Sequence, residues 1–175
     1  MSMMNKLNQI FAAVLISFSL NSFAGDCPAM FGSYTIGKSE TADFASVSDA
    51  VSAVECGGVT GAVTFRIQSG TYNEQVSLSS IPGSSVMNTV TFESEAGSNT
   101  DVVIKTASSQ PVIAINGASF VSFKNITLDH SDAINGNALR VDGNAANLNF
   151  KGVVFTGEEV TRTGTACAAV YFTAT

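Results

Sequence analysis

Two stretches of this chain decide its fold: VSFKNITLD, from Val121 to Asp129, and LNFKGVVF, from Leu148 to Phe155. The second stretch repeats the pattern of the first, and every matched position is displaced by the same step along the chain. A strand-only repeat of roughly 20–30 residues indicates a β-solenoid, in which each coil stacks on the one before it. We therefore predict an all-β, right-handed parallel β-helix with Phe123 and Phe150 buried and superposed, about 4.8 Å apart along the axis. The matched pairs are Phe123 with Phe150, Lys124 with Lys151, Ile126 with Val153, and Leu128 with Phe155.

The segment upstream carries the same repeat, with one residue fewer between the matched positions. Ile113, Ile115 and Gly117 recur as Leu139, Val141 and Gly143. Nine short strands joined by glycine-containing turns would on spacing alone also fit a sandwich or barrel. The repeat favours the solenoid. The predicted strands are Val63–Gln68, Gln75–Ser79, Val90–Ser94, Val102–Thr106, Val112–Asn116, Val121–Asp129, Leu139–Asp142, Leu148–Phe155 and Ala169–Thr173.

Residues 25–62 form a predicted N-terminal cap in front of the coils, which occupy residues 63–175. A strand at Ser33–Gly37 precedes one amphipathic helix, which Asp43 or Ser46 caps and which the Gly57–Gly58 pair ends. Such a helix would cover the apolar end and the unpaired strand edge of the first coil. Its apolar stripe is Phe44, Val47, Ala50, Val51 and Val54.

Residues 1–24 have the pattern of a secretory signal peptide. Lys6 precedes an apolar run from Ile10 to Leu20, and Ser22 and Ala24 are small residues before a cleavage point. The run is shorter than the ~20 residues of a transmembrane helix. We therefore expect a protein that is secreted or displayed at the cell surface, with no membrane insertion after cleavage.

The far end of the chain lacks a predicted cap. The sequence stops at AVYFTAT, in or just after a strand, whereas a solenoid needs a polar terminal cap for solubility. We expect the β-helix to be truncated at residue 175 and to belong to a longer product.

Three cysteines in an exported chain suggest one disulfide and one remaining thiol. Cys27 and Cys56 flank the segment before the first strong strand, so we pair these two. The loop that a Cys27–Cys56 bond closes would contribute about 3–4 kcal/mol to stability by chain entropy. Cys167 would be a free thiol or would pair beyond residue 175.

Charge and composition exclude some partners. Without Lys6 the exported chain has 7 basic and 14 acidic residues, which argues against nucleic acid and anionic lipid. Sugar sites usually stack rings on aromatic faces, and this chain has no Trp and only three Tyr. A glycan site within these residues is mildly disfavoured by that count.

The stretch from Tyr34 to Leu78 resembles the start of pectin-lyase-like β-helix proteins, in particular the N-terminal region of pectin methylesterases. It is also similar to secreted bacterial right-handed β-helix repeat proteins, many of which carry a C-terminal sorting domain. The resemblance implies structural roles, with Gly70 and Tyr72 at a corner and Glu74 beside the next strand. The esterase active-site residues on later coils have no match here. The residues that carry the resemblance are Asp43, Phe44, Ser46, Asp49, Ala50, Ala53, Gly70, Tyr72, Glu74 and Val76.

The segment LDHSD, Leu128 to Asp132, is the candidate for catalysis. Asp129, His130 and Asp132 superficially resemble the "DH" strand end of pectate lyases. Two carboxylates and an imidazole can hold Ca²⁺ or act as an acid–base pair on an acidic sugar. The alternative is that they are solvated turn residues, where Asp is favoured by local backbone hydrogen bonds.

Other charged residues are candidates for binding. Lys124 and Lys151 stack as a basic ladder that either binds a polyanionic glycan or is an ordinary solvated face. Arg140 and Asp142 point outward on the next coil, near Ile113–Asn116. A glycine-flanked loop carries Glu158, Glu159 and Arg162, and the two glutamates are weak metal candidates.

Two functions follow from these observations. The first is a non-catalytic β-helical segment, serving as a stalk, adhesin or glycan-binding module of an exported or surface-displayed protein. The second is the N-terminal part of a polysaccharide-active esterase or lyase whose catalytic coils lie beyond residue 175. We favour the first, in which this chain is not an enzyme. No cofactor is implied, apart from Ca²⁺ at the LDHSD segment. The expected partner is a polysaccharide or cell-surface glycan.

Overall fold

The computed structural model describes residues 27–131, 136–157 and 169–173, which form thirteen strands and one helix. The helix α1 spans Val47–Gly57. The strands are β1 Met30–Ile36, β2 Val59–Ile67, β3 Gly70–Asn73, β4 Val76–Leu78, β5 Val90–Ser94, β6 Val102–Lys105, β7 Ile113–Asn116, β8 Val121–Lys124, β9 Thr127–His130, β10 Leu139–Asp142, β11 Asn149–Lys151, β12 Val154–Gly157 and β13 Val170–Phe172.

The strands form three sheets in which every pairing is parallel. Sheet A has the order β1-β2-β5-β8-β11, sheet B the order β3-β6-β9-β12, and sheet C the order β4-β7-β10-β13. From β2 onward the chain visits sheets A, B and C in turn, so three consecutive strands make one coil and about four coils stack. The predicted all-β parallel β-helix with a short N-terminal helix is confirmed.

A column of phenylalanine rings runs along the inner face of sheet A. Phe65, Phe92, Phe123 and Phe150 occupy one register position, with successive ring centroids 4.8, 5.3 and 5.6 Å apart. The predicted superposition of Phe123 and Phe150 is confirmed, since their rings are inclined by only 6°. Phe123 is fully buried, whereas Phe150 is partly buried.

Two predicted strands are each divided by a sharp corner, so the sequence prediction was wrong there. Val121–Asp129 becomes β8 and β9, and Leu148–Phe155 becomes β11 and β12. The corners are Asn125 at φ 52° and Gly152 at φ 65°, a left-handed conformation that Asn and Gly tolerate best. Each corner moves the chain from sheet A to sheet B. The predicted corner at Gly70 and Tyr72 is instead the strand β3.

Two side chains accept hydrogen bonds from the amides at the start of the helix, and one of them, Glu74, belongs to the first coil. Ser46 is the N-cap and accepts a hydrogen bond from the Asp49 amide at 3.0 Å. The Glu74 carboxylate accepts from the amides of Val47 and Ser48 at 3.0 and 2.9 Å, which satisfies donors that helical bonding leaves unpaired. Asp43 is not a cap, because its carboxylate accepts hydrogen bonds from Thr35 of β1.

The predicted Cys27–Cys56 disulfide is present, with the two Cα atoms 5.6 Å apart. It joins the segment before β1 to the last turn of α1. Cys167 and the predicted signal peptide lie outside the described residues, so both expectations stay predictions.

Ser94 is a polar residue on the inner face of sheet A, and its buried hydroxyl has no hydrogen-bond partner in the described part of the chain. Because an unsatisfied buried hydroxyl is costly, Ser94→Ala is expected to raise the free energy of unfolding by about 1 kcal/mol. Thermal unfolding followed by circular dichroism measures this as a higher Tm. A lower Tm would show that the hydroxyl is paired.

Candidate functional site

The outer face of sheet A presents two parallel rows of side chains. Thr64 and Arg66 flank Phe65 in β2, and because side chains alternate along a strand both point away from the core. The parallel register repeats these two positions on every strand of the sheet. We call the first row the hydroxyl lane: Ser33, Thr64, Thr91, Ser122 and, with an amide in place of a hydroxyl, Asn149. Thr91 is buried within this row. The second row is the charged lane: Thr35, Arg66, Glu93, Lys124 and Lys151.

The charged lane concentrates positive charge on an acidic protein. The whole chain has a net charge of −6, yet three of the lane's five residues are basic. The Lys124 ammonium lies 3.5 Å from the Glu93 carboxylate, and both side chains are partly exposed. Arg66 and Lys151 are exposed, and no carboxylate of the described ranges is within salt-bridge distance of either. An anion approaching the lane therefore meets two cations that form no ion pair with a described carboxylate.

Thr35, the first residue of the charged lane, is held in place by Asp43. Its carboxylate accepts hydrogen bonds from the Thr35 amide at 2.7 Å and from the Thr35 hydroxyl at 2.8 Å. These bonds, the backbone one first, lower the pKa of Asp43 below its ordinary value. Asp43 is therefore ionised at neutral pH and makes this end of the lane acidic.

The predicted catalytic residues Asp129 and His130 lie on opposite sides of sheet B. Asp129 points outward, aligned with Lys105, and accepts hydrogen bonds from the Thr156 hydroxyl at 2.7 Å and the Ser131 amide at 3.0 Å. Burial opposes ionisation, but the hydrogen bonds from Ser131 and Thr156 and the Lys105 charge together lower the pKa of Asp129. A carboxylate with a lowered pKa is a poor general acid at neutral pH.

His130 is buried beneath the turn between sheets B and C. Its Nε2 atom lies 3.0 Å from the carbonyl oxygens of both Ser108 and Gln110, so this nitrogen carries a proton and donates it. A β carbon on Gly136 would come within 2.4 Å of the same nitrogen, so the imidazole is closely enclosed. The ring contributes to packing of the coil and is not brought together with the Asp129 carboxylate. Asp132 lies outside the described residues.

Arg140 and Asp142 point outward from sheet C, away from the two lysines. The Arg140 Nε atom is 2.6 Å from the Asp142 carboxylate, which also accepts a hydrogen bond from the Thr173 hydroxyl. Tyr171 is the register partner of Arg140 on the next strand. These contacts already pair both charges, so the Arg140–Asp142 pair is a weaker binding candidate than the charged lane.

Within residues 27–131, 136–157 and 169–173 no group of three or more His, Cys, Asp or Glu could hold a metal ion. The metal candidates Glu158 and Glu159, and the neighbouring Arg162, lie outside these ranges. The Ca²⁺ expectation stays a prediction.

Sequence reasoning missed Arg66, Glu93 and the whole hydroxyl lane. The signal was present, because the triplet Val-Thr-Phe occurs at residues 63–65 and again at 90–92, the same step that separates Phe123 from Phe150. Aligning these two triplets would have placed Arg66 beneath Glu93. The step from Phe92 to Phe123 is longer, because this coil contains more residues. The constant spacing of the repeat is therefore interrupted between the first pair of phenylalanines and the second.

No protein-family model, no curated protein and no solved structure matches this chain. The resemblance to pectin-lyase-like proteins therefore receives no support from known proteins. The helix of the described ranges, α1, lacks the length and apolar character needed to cross a membrane.

Proposed function

We propose that this chain is a non-catalytic β-helical segment of an exported or surface-displayed protein and that the outer face of sheet A binds an anionic glycan. The observation that carries this proposal is the alignment of Arg66, Lys124 and Lys151 in one lane beside a lane of hydroxyl groups. Carboxylate or sulfate groups of the glycan would pair with the cations. Sugar hydroxyls would exchange hydrogen bonds with the partly exposed hydroxyl groups of Thr64 and Ser122.

Rigidity supports binding rather than turnover. The lanes stand on paired strands whose opposite face is the phenylalanine column, so their spacing of about 4.8 Å per rung is fixed before a ligand arrives. The candidate acid and base, Asp129 and His130, face opposite sides of their strand. The export of the chain and its kinship with right-handed pectin-lyase-like β-helices belong to the same proposal, and the disulfide suits an oxidising compartment.

A binding assay with matched charge reversals tests the proposal. Polygalacturonate is the anionic probe and dextran the neutral one, measured by affinity electrophoresis at low and physiological salt. Lys151→Glu is expected to weaken polygalacturonate binding about five- to tenfold, in line with an exposed ion pair of about 1 kcal/mol. Lys38→Glu makes the same charge change at an exposed position outside the lane and is expected to leave binding unchanged.

Three results would contradict the proposal: equal weakening by both variants, equal binding of dextran, or no binding of polygalacturonate by the unaltered chain. Release of unsaturated or de-esterified products from pectin during the same incubations would instead favour an esterase or lyase.

A further inference from the structure

A cavity of about 420 Å³ lies at the N-terminal end of the solenoid. Its walls are β1, the helix α1 and the strap of residues 27–29. Met30 and Tyr34 line it from β1, Phe44 from the loop that follows, and Ala53 from the helix. No charged side chain of the described residues lines this cavity. Cavities of this size and polarity are typical of small-molecule sites.

The aromatic column ends at this cavity. Tyr34 packs against Phe65 with ring centroids 5.9 Å apart and ring planes inclined by 34°, and Phe44 packs against Phe65 edge-on at 5.8 Å. Tyr34 and Phe44 are themselves 6.0 Å apart and inclined by 57°. Every ring from Phe65 to Phe123 has an aromatic neighbour on both sides, whereas Tyr34 and Phe44 have the cavity beyond them.

The strap that lines one side of the cavity is attached to the helix end. The Met30 amide donates to the Gly58 carbonyl at 2.9 Å, and the Cys27–Cys56 disulfide fixes the other end of the strap. A β carbon on Gly57 would lie 2.2 Å from the Pro28 carbonyl oxygen, so strap and helix are in direct contact. The cavity is therefore preformed, which lowers the entropic cost of binding.

We propose that this cavity binds one small, uncharged aromatic molecule, whose ring extends the aromatic column by one position. The aromatic walls favour offset or edge-on ring contacts, and the Met30 thioether adds a favourable sulfur–ring contact. An ionised ligand would lose its hydration without finding a countercharge among the lining residues.

Indole is a suitable probe, because the chain has no Trp and the emission of added indole can be followed directly. With the full chain, a blue-shifted and saturable signal with a Kd of about 1 mM or tighter is expected. Phenol should compete with indole, and cyclohexanol, which has the same size but no aromatic ring, should compete at least fivefold less well.

Three variants locate the site. Ala53→Phe fills the cavity and is expected to weaken indole binding at least tenfold, whereas Ser52→Phe adds the same ring at the exposed neighbouring position and should have no effect. Tyr34→Leu removes one aromatic wall and should weaken binding at least threefold, which keeps the test valid if Ala53→Phe does not fold. Circular dichroism checks the fold of each variant.

The proposal is overturned by the absence of saturable binding, by unchanged binding in a folded Ala53→Phe or Tyr34→Leu variant, or by cyclohexanol competing as well as phenol. These outcomes are independent of glycan binding, which uses the outer face of sheet A.

Discussion

Phe92→Ala is expected to lower the free energy of unfolding by about 3–5 kcal/mol, the usual cost of removing a buried aromatic ring. Phe92 is fully buried and stacks on Phe65 below and on Phe123 above, at centroid distances of 4.8 and 5.3 Å. The substitution opens a void between two rings that neighbouring coils hold apart. Urea unfolding followed by circular dichroism measures the loss.

Phe172→Ala is the matched control. Phe172 is the register partner of Val141 on β13, the last strand of sheet C in the described residues. Because 64% of its area is exposed, its removal is expected to cost less than about 0.5 kcal/mol. Equal losses in the two variants would contradict the full burial of Phe92 between Phe65 and Phe123.

Gly83→Ala is expected to destabilise the chain by about 3 kcal/mol or more, because left-handed strain and a lost buried hydrogen bond add to a steric clash. Gly83 has a φ of 81°, and a β carbon there would lie 2.2 Å from the Val59 carbonyl oxygen. The turn after β4 would have to move away from β2, and the 2.8 Å hydrogen bond from the Val59 amide to the Pro82 carbonyl would be lost. The midpoint of urea unfolding checks this.

Gly97→Ala is the control that measures the cost of left-handed backbone strain without a steric clash. Gly97 has a similar φ of 77°, but no atom lies within 4 Å of the position of its β carbon. The strain alone is expected to cost about 1 kcal/mol. If Gly83→Ala costs no more than Gly97→Ala, the close contact between the turn and β2 does not exist.

Much of the fold could be predicted because equivalent residues of a solenoid recur at nearly constant spacing. Phe123 and Phe150 occupy equivalent positions of the repeat, and this pair was enough to predict the stack and its register. The corners were missed because buried residues continue on both sides of them: Phe123, Ile126 and Leu128 are all buried although the strand breaks at Asn125. The step of three residues from Phe123 to Ile126 interrupts the two-residue alternation of a strand, and it was the sequence signal for the corner.

The candidate site was predicted in part. Lys124 and Lys151 were placed together because they belong to the repeat that defines the fold. Asp129 and His130 were treated as one cluster, although adjacent residues of a strand point to opposite faces. Taking LDHSD as strand rather than turn up to His130 would have separated them. The cavity at the N-terminal end depends on how the strap, β1 and α1 meet, which no periodicity in the sequence specifies.

The register of sheet A stacks the coils and also aligns the residues of the charged lane. Disulfide trapping tests this register directly. Lys124→Cys and Lys151→Cys, with Cys167 replaced by serine, place two cysteines on facing Cα partners about 4.8 Å apart, within disulfide range. Lys124→Cys with Asn149→Cys places them two residues out of register, about 8 Å apart and beyond that range. Mild oxidation is expected to link 124 to 151 and not 124 to 149, as measured by mass spectrometry of proteolytic peptides. Equal linkage of both pairs, or linkage of 124 to 149 alone, would contradict the stacked register.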